Sequence, residues 1–336
     1  MDRLIELERW LAERLPDRDF ALAPASADAS FRRYFRVSFA RDGAPSLIAM
    51  DAPPEKEDCR SFVHVARLLA DAALNAPRVL EQDLARGFLL LTDLGTTPYL
   101  EALRAADETT ANRLFSDATD AIVKWQLASR PDELPSYDAA LLRRELELFP
   151  DWYVGRHLGA TLAPAQREML DRTFALIIAS NLAQPKVYVH RDYMPRNLMV
   201  CDANPGILDF QDAVYGPIVY DVVCLFKDAF ISWEEERVLD GAIQYWEKAK
   251  RARLPVDHDF GAFYRDFEWM GLQRHLKVAG IFARLAHRDG KRGYLDDTPR
   301  FIEYIRAVCR RYDALKPLLL LMDELEGRQA RVGYTF

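Results

Sequence analysis

The chain reads as an α+β protein in two parts, a small antiparallel β-sheet region over residues 1–95 and a larger, mainly helical region over 96–336. Three observations predict this. Segments near 20–26, 32–39 and 46–51 have the length and turn-bounded pattern of strands, and two of them are rich in aromatic and β-branched residues. Ala76 to Asp83 and Gly87 to Gly95 read as a hairpin, with Phe88 to Leu91 forming the continuous apolar run of a buried strand. From residue 97 onward, apolar residues recur mostly at helical spacing.

Taken in order, residues 1 to about 15 form an amphipathic helix closed by Leu15-Pro16-Asp17. The turn that follows the first strand, Ser26-Ala-Asp-Ala-Ser30-Phe31-Arg32-Arg33-Tyr34, contains no glycine. Its small residues would let the backbone approach an anion and Ser30 would add a hydroxyl donor; the other reading is an ordinary surface hairpin with solvated arginines. Residues 55–74 read as a helix with Phe62, Ala66, Leu69 and Ala73 on one face. Asp58 is either an acid that pairs with a cation at the site or a first-turn acid favoured by the helix dipole. Further helices are expected over 98–105, 108–129, 137–158, 163–182, 233–252, 259–288 and 297–326. In 137–158, Leu142, Leu146, Phe149 and Tyr153 make one stripe, and Leu141, Glu145, Leu148 and Trp152 its neighbour. Glu145 and Trp152 could bind a sugar, the ring stacking on an apolar face and the acid accepting hydroxyl bonds, or could be a half-exposed acid beside a core tryptophan.

Composition narrows the function. A chain of 336 residues that is 50% hydrophobic and 29% charged is an ordinary soluble globular protein with room for a large core. A net charge of −7 leaves no basic excess for nucleic-acid phosphates. The longest apolar cluster, Leu318 to Leu321, is far too short for a membrane span, and the N-terminus lacks the apolar stretch of a signal peptide. Cys59, Cys201, Cys224 and Cys309 are scattered, as reduced cytoplasmic thiols would be.

The chemistry is concentrated in Val187 to Val200 and Ile207 to Gln211, which read as strand, tight loop, short strand and second loop. They carry His190-Arg191-Asp192, then Asn197, then Asp209-Phe210 a dozen residues on. This is the catalytic and metal-binding spacing of kinase-type phosphoryl transfer. Asp192 would accept the proton of an attacking hydroxyl, and Asn197 and Asp209 would hold Mg²⁺, a hard cation that takes oxygen ligands, against the phosphates of ATP.

These residues make the chain resemble the aminoglycoside phosphotransferase superfamily, small-molecule kinases with a protein-kinase-like two-lobe fold. The Ser26–Val37 segment, Met50-Asp51-Ala-Pro-Pro and Asp209-Phe-Gln-Asp-Ala-Val-Tyr-Gly-Pro make it similar to the anomeric kinases of that superfamily. Those phosphorylate N-acetylmuramate and N-acetylglucosamine during bacterial cell-wall recycling. The resemblance implies nucleotide contacts from Ser30, Phe31, Arg32, Arg33, Tyr34 and Met50, and from the hinge at Asp93 and Leu94. Beside Glu145 and Trp152, the residues themselves offer Arg191, Arg196, Arg274 and His275 as sugar contacts, the last two in a polar-basic run ending at Lys277; Arg191 and Arg196 could instead merely pair with an acid. His190 would be a packed part of the catalytic loop and Asp221, which could also be a plain first-turn acid, its brace. The lysine that pairs the phosphates in a kinase is absent: its place falls on Met50 or Asp51. Arg32, Arg33 and Arg36 are the nearest cations, only one strand parity can serve, and Arg33 is the choice here. A cytoplasmic, ATP- and Mg²⁺-dependent kinase of amino sugars is the leading expectation. An aminoglycoside or amino-alcohol kinase and a non-catalytic nucleotide-binding scaffold are the alternatives.

Overall fold

The structure, a computed structural model, describes residues 3–16, 19–26, 31–40 and 44–327. In chain order, α1 (Arg3–Arg14) precedes β1 (Phe20–Ser26), β2 (Arg33–Phe39) and β3 (Leu47–Asp51). Then come α2 (Cys59–Asp71), β4 (Val79–Asp83), β5 (Phe88–Thr92), α3 (Tyr99–Ala105) and α4 (Glu108–Leu127). Next, α5 (Ala139–Leu146), a π-helical stretch (Phe149–His157) and α6 (Pro164–Leu182) lead to β6 (Lys186–Val189). A 3₁₀ turn (Pro195–Asn197), β7 (Leu198–Met199), β8 (Gly206–Ile207) and β9 (Val214–Pro217) follow. The chain continues through α7 (Tyr220–Phe226), α8 (Glu235–Arg251), α9 (Phe260–His287), α10 (Thr298–Arg311) and α11 (Lys316–Leu325). By compactness it falls into two units, Met1–Ala128 with Pro195–Ala213, and Ser129–Met194 with Val214–Phe336. The first unit therefore takes in residues beyond 95, and a short later segment as well.

In the first unit a five-stranded antiparallel sheet runs in the order β1-β2-β3-β5-β4. Strand parity sorts the side chains of β2: Phe35 and Val37, with Ala49, Phe88 and Leu90, pack on Leu7, Trp10 and Leu11 of α1. Burying each such side chain contributes about 1.5–3 kcal/mol, so the apolar stripe of α1 is held firmly on this face. The even-numbered residues of β2 point the other way. α2 starts at Cys59 rather than 55 because Pro53 and Pro54 form a turn and Asp58 caps the helix, accepting Arg60 N–H at 2.9 Å. Asp58 is thus a capping acid and not a partner for a cation across the site. Ala73, expected on the buried face, lies beyond the helix end with φ +53° and is exposed.

The second unit is mainly helical, with β6 and β9 paired antiparallel at its edge. Its core joins α5, α6, α9, α10 and α11 through residues such as Leu146, Phe174, Leu276, Phe301 and Leu318. The expected single helix 137–158 is two pieces. Pro150 has no N–H for the i→i−4 ladder, and the chain continues in wider π winding, Leu158 N–H reaching back to Tyr153 O at 2.9 Å. Gly280 lets α9 pass this segment closely, since a Cβ there would come within 2.3 Å of Leu148 O. The expected helix 297–326 is also broken, at a 3₁₀ turn (Asp313–Leu315) before Pro317, which sits in the first turn of α11. Among the described residues no helix is long and apolar enough to cross a membrane, and all four cysteines are unpaired.

Candidate active site

A cavity of about 380 Å³ lies within the first unit, a size suited to a nucleotide. Tyr34 and Arg36 of β2, Ile48 of β3, and Leu91 to Thr96 from the end of β5 onward form part of its wall; Arg196, Asn197, Leu208, Asp209 and Phe210 form another part. Asp93 and Leu94 both line it, but Asp93 is anchored: its carboxylate accepts Arg36 Nε at 2.6 Å, Ser46 Oγ at 2.7 Å and Gly95 N–H at 2.9 Å. Although burial acts to raise it, these donors hold the Asp93 carboxyl below its usual range. These bonds tie the 92–96 segment at the cavity wall to β2 and to Ser46, just ahead of β3.

The register settles the arginine parity and corrects the choice of Arg33. Arg33 pairs across the ladder with Asp51 and its guanidinium closes on that carboxylate, which Arg3 of α1 binds at 2.5 Å. Arg33 thus belongs to an ion cluster around the buried Asp51 carboxylate, on the α1 side of the sheet. Arg32 shares the side of Tyr34 and meets Glu57 through Nε at 3.2 Å. Met50 stands opposite Tyr34 in the ladder, fully buried and outside the cavity lining. Phe31 is exposed, with the Lys56 ammonium 4.4 Å from its ring centre. Ser30 lies outside the described residues.

Asn197 and Asp209 are brought together by the β7–β8 pair and by Leu208 N–H donating to Asn197 O at 2.9 Å. Asn197 Nδ2 is 3.4 Å from Asp209 Oδ2, and Gln211 Nε2 donates to Oδ1 at 2.9 Å. Asp209 has φ +61°, a conformation L-residues rarely adopt, and Phe210 behind it is buried against Phe62 of α2 with ring centres 4.7 Å apart. Packing of that phenyl fixes a turn that aspartate tolerates better than most side chains. The donor set fits Mg²⁺: one carboxylate and one amide oxygen, hard ligands that leave room for water and phosphate.

In the second unit, Asp192 sits in the loop leaving β6. Asp221 accepts His190 N–H at 2.7 Å and Arg191 N–H at 3.0 Å, one on each oxygen, from the first turn of α7. Burial pushes its carboxyl up to about 7 against the pull of these two donors. Arg191 O accepts from Cys224 Sγ at 3.2 Å, and Arg191 itself has φ +77°. The buried His190 ring lies edge-on to Tyr193, with Nδ1 3.3 Å from Asp192 N. The residue before Asp192 is thus fixed at both its N–H and its C=O in a strained conformation, as functional loops often are.

The expected sugar contacts have partners within the protein. Glu145 is buried and accepts Arg191 Nη2 at 2.5 Å, Lys277 Nζ at 3.3 Å and the Tyr137 hydroxyl. Burial raises its pKa, but Lys277 and Arg191 outweigh that and hold the carboxyl below its usual range. Trp152 packs on the helical core instead of pairing with Glu145. Arg274 is fully buried and donates to Lys227 O at 3.1 Å; His275 is fully buried and stacks on Tyr304 at 4.8 Å. α9 is buried all round over this stretch, so its polar residues sit inside the unit. Arg196 lines the cavity of the first unit with Asn197. Sequence reading missed Glu57 as the partner of Arg32 and Lys277 as the second cation on Glu145, and no local spacing pointed to either.

The fold is that of kinase-like phosphotransferases, an antiparallel five-stranded sheet followed by a helical region. It matches the ADP-bound aminoglycoside phosphotransferase APH(2'')-Ib with TM-score 0.59 at 13% identity, covering 90% of this chain and 98% of that one. A choline/ethanolamine kinase family protein from Mesorhizobium loti matches with TM-score 0.63 at 15% identity, covering 95% and 99%. The phosphotransferase enzyme family model matches residues 21–256, and the chain belongs to that family. Among its relatives, the N-acetylmuramate/N-acetylglucosamine kinase of Pseudomonas putida is 54% identical over 97% of both chains. The protein of the same name from Neisseria meningitidis is 51% identical over 100% of both.

Proposed function

We propose that this phosphotransferase moves the γ-phosphoryl group of ATP to the anomeric hydroxyl of N-acetylmuramate or N-acetylglucosamine. The observation that carries the acceptor is the near-full-length identity to relatives bearing that name. Dependence on ATP makes a cytoplasmic enzyme the natural reading. The adenine end of the nucleotide would meet the backbone of the 92–96 segment, and the phosphate end Asn197 and Asp209. Mg²⁺, when bound to those two side chains, neutralises phosphate charge that would otherwise repel the incoming oxygen. Asp192 orients the sugar hydroxyl and takes its proton on a carboxylate oxygen as the new O–P bond forms and the bond from the γ-phosphorus to the bridging oxygen breaks, ADP leaving with that electron pair. An anomeric hydroxyl is more acidic than an ordinary sugar alcohol, so a carboxylate of modest basicity suits it. The transition state is loose, which leaves positioning as the larger task and explains the bracing of the Asp192 loop by Asp221.

The test is the product and its dependence on Asp192. With N-acetylglucosamine, the product should be non-reducing and release phosphate in mild acid, as a glycosyl phosphate does. Asp192→Asn should lower kcat by roughly 10²–10⁴-fold while leaving nucleotide affinity intact. An acid-stable, reducing product would retain the kinase and refute the anomeric position. No turnover of either sugar, alongside turnover of an amino alcohol or aminoglycoside, would refute the acceptor.

A further inference from the structure

We propose that Arg32, oriented by Glu57, is the cation that meets the transferring phosphates, in place of the lysine β3 lacks. The inference rests on the phosphotransferase reading above and assigns a residue that reading leaves open. Phosphoryl transfer spreads negative charge over the phosphate oxygens, and a fixed cation on the sheet side is a recurring part of kinase-type sites, held by a carboxylate from the neighbouring helix. In this chain β3 offers none: Met50 is apolar, and Asp51 is an anion consumed by Arg3 and Arg33.

Arg33 and Arg36 of the adjoining strand β2, and Arg32 immediately before it, compete for the role, and their partners separate them. Arg33 faces α1 and belongs to the Asp51 cluster. Arg36 faces the cavity but is bound by both oxygens of Asp93 and by Gly95 O at 2.8 Å, which places it at the 92–96 edge. Arg32 lies at the other end. It shares the parity of the cavity-lining Tyr34; burial acts to lower its pKa, but Tyr34, Glu57 and Asp209 together outweigh it and raise it. Its side chain is 12% exposed and that of Glu57 20%, so the pair is shielded enough for its field to be felt without being sealed off. Glu57 is placed just ahead of the α2 cap by the Pro53 turn, Glu57 N–H donating to Pro53 O at 2.9 Å. An ion pair between the residue that enters β2 and the residue just ahead of the α2 cap is thus built from Arg32 and Glu57. The planar guanidinium adds a fork that can meet two phosphate oxygens at once, which an ammonium cannot.

The test compares ATP with adenosine as ligands of the whole protein by titration calorimetry with Mg²⁺ present, and measures kcat in parallel. Arg32→Ala should weaken ATP by roughly 10- to 100-fold and leave adenosine unchanged, because only the phosphates lose a charged donor. Arg32→Lys should recover part of the loss, and Glu57→Gln should fall between wild type and Arg32→Ala. Arg33→Ala should keep the wild-type ATP-to-adenosine ratio while lowering the melting temperature. If Arg32→Ala does not fold, the ratio is read from Arg32→Gln. An unchanged ratio in every folded Arg32 variant overturns the assignment. Asp209→Asn separates the two layers: its loss of turnover beside fully active Arg32 variants discards Arg32 alone. A wild-type protein that binds no ATP discards the phosphotransferase reading and the Arg32 assignment with it.

Discussion

Replacing Glu145 by Gln tests whether the buried carboxylate holds the catalytic loop. Its side chain is 6% exposed, with Arg191 at 2.5 Å and Lys277 at 3.3 Å. Two unit charges at the Lys277 distance attract by about 5 kcal/mol at an effective dielectric of 20, and the desolvation of three ions offsets much of that. The substitution keeps shape, yet leaves two buried cations facing a neutral amide. Breaking a buried pair in this way costs about 3–5 kcal/mol, which should appear as a lower urea midpoint with an unchanged m-value. Glu168→Gln is the control: its pair with Arg172 is 71% and 65% exposed and should be worth about 0–1 kcal/mol. Adding Lys277→Met to Glu145→Gln should restore part of the loss by removing one orphaned charge. The pH dependence has a definite sign. Because the folded pKa of Glu145 is depressed, its contribution is present above the unfolded value near 4.5 and is lost as pH falls through the folded one, so the gap between wild type and variant should close in acid. A loss no larger than that of Glu168→Gln, or no recovery in the double variant, would refute the electrostatic account.

Two further outcomes follow from the same reasoning. Asp209→Asn removes a charged ligand but not the turn, so Mg²⁺-dependent turnover should fall by about 10²-fold or more with the melting temperature nearly unchanged; wild-type turnover at ordinary Mg²⁺ concentration would sink the metal assignment. Burial pulls Lys227 down to about 8 from 10.5, against the opposing pull of Glu268, so between those values the unfolded chain binds more protons and stability rises with pH. Lys227→Met should therefore be more stable than wild type at pH 7 by roughly 1–3 kcal/mol, with the gain fading above about pH 10.5; a variant less stable at pH 7 would contradict this.

The local geometry around the candidate residues was legible in the sequence because it is set by short-range spacing. Asp192, Asn197 and Asp209 lie within a span of short strands and tight turns, where a fixed number of residues leaves the backbone few paths, and Asn197 and Asp209 do face each other. The strands of the first unit showed through for the same reason, since a two-residue period and turn residues are short-range signals. Parity alone could say that Arg32 and Arg33 point to opposite faces. Which face holds the cavity depended on where α1 packs, and its apolar stripe covers Phe35 and Val37 on the Arg33 side. Glu145 meets partners 46 and 132 residues away, and such pairings are chosen by the packing of α5, α9 and the catalytic loop rather than by spacing along the chain. Lys277, Arg274 and His275 read as a polar face only until the helix carrying them is seen to be buried on every side. A buried charge is decided by the ions that surround it, and those are assembled only when distant elements fold together.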